Sequence, residues 1–253
     1  MTTPPAVCAG EREPELRGQT VVVIGGSSGI GLETARRARA EGADVIVTGR
    51  DPQRLRRAAA ELGALRTAAF DATDSAALDQ FFHGLPEQID HVMVTGPGPY
   101  YAPPGRPRPR ACAPRFRCAP VARRGSGTAC HRPGAARRHP AFMGGTGGRR
   151  PGISLALISA GSAELHALIA NLALEVAPVR VNLLAPGFVD TPLSAALLGE
   201  DLDKRRDQLR ATLPIGRVVG PADVAALAVH LMTNTAVTGA TYDVDGGQQL
   251  APG

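Results

Sequence analysis

Short apolar runs alternate along most of this chain with stretches of helical spacing. Val21-Val22-Val23-Ile24 has no polar interruption, the pattern of a strand buried on both faces. It runs into Gly25-Gly26-Ser27-Ser28-Gly29-Ile30-Gly31 and then into a helical stretch that continues to about Glu41, with Gly42 as its stop. The alternation then repeats. Residues 44–48 read as a second strand, closing at Gly49-Arg50, and residues 52–62 as a helix with Pro52 in its first turn. Residues 65–70 form a third strand before Asp71-Ala72-Thr73-Asp74, and Ser75 caps a helix to about Leu85. Residues 89–94 are a fourth strand. The pattern resumes with a long Ala/Leu-rich helix over 155–176 and a strand over 179–184, broken at Pro186-Gly187. One or two short helices follow in a charged flap over 191–213. A helix over 221–232 comes next, then a last strand over 240–244, closed by Asp245-Gly246-Gly247. Strands alternating with helices imply βαβ units, a parallel sheet and right-handed crossovers.

The first strand, turn and helix carry candidate chemistry. Glycines let the backbone turn sharply and approach a phosphate closely, and the helix behind them aims its free N–H groups and positive dipole end at that phosphate. The plain alternative is a glycine-rich βα turn with no ligand.

Bulk composition changes this picture in two places. A length of 253 residues with 43% hydrophobic residues suits one α/β domain or two small ones, preceded by a mobile leader over 1–17 that holds Pro4, Pro5 and Pro14. No apolar run approaches the roughly 18 residues of a membrane helix, and the first residues lack a signal pattern. The expectation is a cytoplasmic protein with no membrane partner. Cys8, Cys112, Cys118 and Cys130 show no paired spacing, so they read as thiols and no metal site is expected.

The pI near 9.5 invites a nucleic-acid partner, but its origin argues against one. Residues 106–150 hold 12 Arg and no acid, so the remainder carries 5 − 12 = −7. Lys204 is the only lysine beside 27 Arg, a skew that GC-rich coding DNA produces.

The order of motifs resembles the short-chain dehydrogenase/reductase family over roughly 18–101 and 142–249. The resemblance implies an α/β fold, a single Rossmann-like doubly wound sheet in one dinucleotide-binding domain over residues 18–250. The loop from Gly25 to Gly31 is similar to the family's GxxxGxG cofactor loop, implying dinucleotide contacts from Gly25, Ser27, Ser28, Gly29, Ile30 and Gly31. Asp71, with Ala72 beside it, matches the acidic residue that holds the adenine amino group. Pro186-Gly187-Phe188-Val189-Asp190-Thr191 is similar to PGxxxT, which would place Pro186, Gly187, Val189 and Thr191 around the nicotinamide and pyrophosphate. Val244-Asp245-Gly246-Gly247 matches the C-terminal signature. An acid ending the second strand would hold the ribose 2′-OH of NAD, whereas Arg50 there accommodates a 2′-phosphate. NADP(H) is therefore expected over NAD(H), although Asp51 follows.

The family's catalysis needs a Tyr, a Lys four residues later, a Ser and an Asn. An unperturbed phenol titrates near pH 10, about three units too high, and the neighbouring cation favours its ionisation. Aligned here, Ile158 falls at the Tyr position, Ser162 at the Lys position, and Gly145 at the Ser position with Thr146 beside it. The family's Asn-Asn-Ala-Gly reads Thr95-Gly96-Pro97-Gly98. Tyr100 and Tyr101, after the fourth strand, are candidate surrogate acids, and Thr146 is a candidate hydroxyl for a carbonyl oxygen. Two activities are carried forward. One is an NADP(H)-dependent oxidoreductase acting on a small carbonyl or alcohol; the other is a dinucleotide-binding pseudo-enzyme that senses or scaffolds.

Residues 102–141 fit neither period. They contain eight prolines, among them Pro133 and Pro140, and Arg throughout, which reads as an irregular Arg/Pro-rich segment. The family has a helix and a strand over about this length. A disordered basic insertion, a divergent loop and a shifted reading frame each give such a composition. The shifted frame explains the most. One base forward, the codons of residues 115–124 can encode Ala-Phe-Asp-Val-His-Leu-Trp-Leu-Ala, and those of 137–141 can encode Gly-Gly-Thr-Leu-Leu. By resemblance the chain would be a homo-oligomer, and this segment would impair both its assembly and its stability.

Overall fold

The computed structural model describes residues 15–86, 88–95, 139–149 and 155–251. All seven described strands lie in one parallel sheet. In chain order they are β1 (Thr20–Ile24), β2 (Asp44–Gly49), β3 (Arg66–Ala69), β4 (His91–Val94), β5 (His139–Met143), β6 (Asn182–Pro186) and β7 (Thr241–Val244). Their spatial order is β3-β2-β1-β4-β5-β6-β7. The chain therefore winds outward from β1 to one edge, returns to its other side at β4, and winds outward again. The crevice between the C-terminal ends of β1 and β4 is the switch point where such sheets bind ligands.

Among the described residues there are seven helices: α1 (Gly29–Ala40), α2 (Pro52–Leu62), α3 (Ser75–His83), α4 (Ala156–Glu175), α5 (Pro192–Leu198), α6 (Leu202–Thr212) and α7 (Pro221–Thr233). On one face of the sheet Ala35 and Ala38 of α1 and Val224 and Ala228 of α7 bury Val21, Val23, Val45 and Met93. On the other, Phe81 and Phe82 of α3 and Leu165, Ile169 and Leu172 of α4 bury Val22, Ile46, Val92 and Phe142. Alternate residues of β1 thus enter opposite cores, which is why its sequence is apolar without a break. The flap expected over 191–213 holds α5, a short 3-10 turn at Gly199–Asp201, and α6.

Two expectations are corrected. The leader does not reach residue 17: Leu16 is fully buried, and its N–H donates to the Glu41 carbonyl at 2.9 Å. One large apolar side chain is enough to dock that turn under the end of α1. The irregular segment likewise stops short of residue 141, because His139, Pro140 and Ala141 open β5 in the middle of the sheet. Proline is rare in central strands because it removes a ladder donor. Here the β4–β5 register begins at His139, while the β5–β6 register begins only at Ala141 opposite Asn182. The His139 N–H donates toward β4, to Asp90. Position 140, one residue on, turns the opposite way, toward β6 ahead of its first ladder pair, so the missing N–H costs no ladder bond. The rest of the irregular segment, 102–138, lies outside the described residues.

Candidate functional site

The turn between β1 and α1 is built by glycines at positions where a side chain would be strained or would clash. Gly25 has φ +87° and Gly29 has φ +54°, left-handed conformations that side chains resist. A Cβ on Gly31 would lie 2.9 Å from the Gly25 carbonyl carbon and 3.2 Å from Gly26 Cα. A Cβ on Gly26 would press on Val47 of β2 at 2.9 Å. The first turn of α1 therefore rests directly on the backbone of the loop that enters it. The Ser28 side chain makes no cap bond to α1, so the helix's first N–H groups face the turn.

Two hydroxyls that the sequence reading passed over hold the turn from neighbouring strand ends. Thr95, after β4, donates its hydroxyl to the Ile24 carbonyl at 2.8 Å, and its N–H bonds the same oxygen at 3.1 Å. Thr48, in β2, accepts the Gly25 N–H at 3.4 Å. Their signal was a threonine near the C-terminal end of each strand flanking β1.

The residues expected to contact a dinucleotide lie in this turn and beyond the C-terminal ends of β2 and β3. Ser27 lies against Gly49, where a Cβ would come within 2.6 Å of the Ser27 hydroxyl. Ile30 is half-buried against the core. Arg50 is exposed at the end of β2. Its neighbour Asp51 is occupied: one carboxylate oxygen accepts the Gln53 N–H at 2.8 Å and the Arg54 N–H at 3.1 Å, capping α2. The Arg54 and Gln53 backbone bonds hold the Asp51 carboxyl below its ordinary pKa. Asp71 is exposed beyond β3, accepting the Thr73 N–H at 2.9 Å, with Ala72 half-buried beside it.

The Pro186–Thr191 segment closes the other side. A Cβ on Gly29 would lie 3.6 Å from the Thr191 side chain, so flap and glycine turn are in van der Waals reach. Thr191 caps α5 in a reciprocal box with Ser194. Gly187 packs against Asp245, where a Cβ would come within 2.7 Å of that side chain. Val189 bridges to Val219. Asp190 takes two bonds from Arg206 of α6, at 2.9 and 2.8 Å. Hydrogen bonds to Asp190 first, and then Asp203, hold the Arg206 guanidinium firmly protonated. Asp245 folds its own turn, accepting the Gly247 N–H at 2.8 Å and the Gln249 N–H at 3.0 Å.

At the turn after β5 the fold brings together Gly145, Thr146, Gly147, Ile158 and Ser162, the positions aligned with the family's catalytic residues and their neighbours. A Cβ on Gly145 would sit 3.8 Å from the Ser162 hydroxyl and 3.7 Å from the Pro186 carbonyl. A Cβ on Gly147 would sit 3.9 Å from Ile158. Ser159 donates to the Gly147 carbonyl at 2.7 Å, tying α4 to this turn. Thr146 is buried in it. Tyr100 and Tyr101 lie outside the described residues. Among the described residues no cluster of His, Cys, Asp and Glu could hold a metal ion, and no helix is long and apolar enough to cross a membrane.

The family described as short chain dehydrogenase matches residues 19–95, and the one described as Enoyl-(Acyl carrier protein) reductase matches residues 143–249. The two matches flank the Arg-rich stretch. The chain is 32% identical to a 3beta-hydroxysteroid dehydrogenase 1 of Eggerthella lenta, over 94% of this chain and 97% of that protein. It is 33% identical to a galactitol 2-dehydrogenase (L-tagatose-forming) of Cereibacter sphaeroides, over 92% and 95%. A solved actinorhodin polyketide ketoreductase variant with NADPH superposes with a TM-score of 0.79 at 25% identity, over 90% of this chain and 96% of that one.

Proposed function

The chain belongs to the short-chain dehydrogenase/reductase family, a family of oxidoreductases, and we propose that it binds NADP(H) and moves hydride between it and a small carbonyl or alcohol. The observation that carries this reading is the backbone-on-backbone contact of Gly31 with Gly25, a close packing that any Cβ would break and that leaves bare backbone at the start of α1. A pyrophosphate there meets the free N–H groups of α1 and its dipole. Arg50 supports the phosphorylated cofactor, because the one carboxylate beside it, Asp51, is committed to capping α2. The structural neighbour solved with NADPH points the same way. Bound NADP(H) supplies the hydride; the protein binds, orients and excludes water. Thr146 offers a hydroxyl to a substrate oxygen, and Tyr100 or Tyr101 supplies the proton.

A second reading is favoured by Ile158 and Ser162. An alkyl chain and a short hydroxyl on α4 hold no proton-transfer pair, which fits a dinucleotide-binding pseudo-enzyme. Fluorescence titration with NADPH and NADH, followed by turnover on a carbonyl panel, separates the two. Oxidoreductase function requires tighter NADPH binding and NADPH consumption that Tyr100→Phe or Tyr101→Phe abolishes. Binding without consumption establishes the pseudo-enzyme, and no binding of either nucleotide overturns both.

A further inference from the structure

At the N-terminal edge of the sheet, opposite the dinucleotide turn, His91 and His139 sit side by side in the β4–β5 register, both fully buried. Their rings are 6.4 Å apart, inclined at 64°. Each has one ring nitrogen bonded and one, Nδ1, with no hydrogen-bond partner. The bonded nitrogens determine the tautomers, because the two amides that hold them are themselves pinned.

Gln19 Nε2 donates to the Glu15 carbonyl at 3.1 Å, so Gln19 Oε1 is the atom 2.7 Å from His91 Nε2. His91 Nε2 therefore carries the hydrogen, and its Nδ1 is a bare acceptor. Asn182 Nδ2 donates to the Val237 carbonyl at 3.0 Å, and Asn182 Oδ1 accepts the Ala240 N–H at 3.2 Å. The Asn182 atom 2.9 Å from His139 Nε2 is thus the NH2 nitrogen. His139 Nε2 must accept, and its Nδ1 carries the hydrogen. One histidine leaves an acceptor and its neighbour leaves a donor.

We propose that His91 and His139 are an acid-sensitive clasp, locked as opposite neutral tautomers that tie β1, β4, β5 and β6 together and that release when either ring takes a proton. A proton on His139 puts N–H against the pinned Asn182 NH2. A proton on His91 puts N–H on Nδ1, an atom with no hydrogen-bond partner to accept from it. The first creates a donor–donor pair, the second an unpaired buried donor, and either places beside Arg180 a buried charge with no counter-ion among the described residues.

The surroundings work against protonation. Arg180, buried beside the pair, donates to the carbonyls of Leu231, Asn234 and Met232 at 2.7, 2.8 and 2.9 Å and adds a fixed positive charge. Asp90, ahead of β4, is engaged by the Thr20 N–H at 2.8 Å. Tyr242 of β7 is near enough to Arg180 to favour its charge. Arg37, Glu41 and His230 line a cleft of about 730 Å³ beyond Gln19. Burial first, then Arg180, pushes His91 down to about 3, and the same two causes hold His139 well below its ordinary value.

The sign follows directly. The unfolded rings bind protons below about pH 6.5 and the folded ones do not. The clasp's contribution is complete above that pH and is lost as pH falls toward the folded values. Two measurements on the full chain test it. Nitrogen-15 histidine spectra at pH 5.5 should show two neutral rings of opposite tautomer; a like pair, or rings titrating near pH 6.5 in the folded protein, overturns the proposal. Urea unfolding between pH 7 and 5 should show the unfolding equilibrium constant rising by up to about tenfold per pH unit for each histidine. The variant His91→Gln/His139→Gln, which cannot take these protons, should lose that rise; an unchanged pH dependence also overturns the proposal. If the variant does not fold, the spectra alone decide.

Discussion

Gly31 of α1 stands directly against the carbonyl of Gly25, with no room between them for a side chain. The two residues bracket the turn in which helix and strand meet backbone to backbone. Gly31→Ala inserts a methyl group where only backbone could move aside. We expect NADPH affinity to fall at least tenfold while the circular dichroism of the folded protein persists. Fluorescence titration checks this, and unchanged affinity would show that the turn holds no pyrophosphate.

Arg50 and Asp51 are adjacent but serve different ends. Arg50→Ala should weaken NADPH binding several-fold and leave NADH binding nearly unchanged, because only the former carries a 2′-phosphate. Asp51→Ala should leave both affinities alone and lower the melting midpoint, because it removes the cap of α2. That loss should also appear in wild type on acidification. The folded Asp51 carboxyl titrates below its unfolded value, so its contribution is present above the unfolded pKa and disappears as pH drops through the folded one. If Asp51→Ala selectively weakens NADH, the carboxylate is a ribose ligand after all.

Ile158 and Ser162 lie one helical turn apart on α4, against the Gly145–Gly148 turn. Replacing both, Ile158→Tyr with Ser162→Lys, introduces a phenol and the cation that lowers its pKa. Carbonyl reduction by the double variant should exceed that of wild type by at least tenfold, and Ile158→Tyr alone should gain little. Ser162 is tightly enclosed, with Gly148 close by, so thermal melts must accompany the kinetics. Equal rates for the single and double variants would show that α4 does not face the reacting carbon.

The codons of residues 102–141 should read, one base forward, as an apolar helix followed by Gly-Gly-Thr-Leu-Leu. Sequencing the gene tests this at once, since a frame without an apolar period removes the explanation. A restored frame would place Thr at position 139 and Leu at 140. β5 would then begin as an ordinary buried strand, and the histidine clasp would be absent from the restored chain.

Nearly every described element was legible in the pattern of apolar residues, because a strand covered on both faces has few alternatives to an unbroken run such as Val21 to Ile24. The glycine turn was legible for a related reason: the positive φ of Gly25 and Gly29 strongly favours one residue type. β5 was harder. Its opening His-Pro-Ala resembles no central strand, and Pro140 is tolerated only because the register with β6 starts one residue later. Leu16 was missed because a single apolar residue beside prolines gives no period to read.

Residue order alone determined the parallel α/β fold, the glycine turn after β1 and the absence of any Tyr-x-x-x-Lys spacing, since each rests on local spacing and residue type. Only the tertiary structure decided how those residues are occupied. It spends Asp51 on a helix cap, sets Thr48 and Thr95 to hold the glycine turn, and brings Thr191 from far along the chain to Gly29. It also buries His91 beside His139, and there the pinned amides of Gln19 and Asn182 fix where each proton sits. Hydrogen-bond partners distant in sequence leave no trace in the local pattern, and the chemistry of a buried polar group is set by those partners.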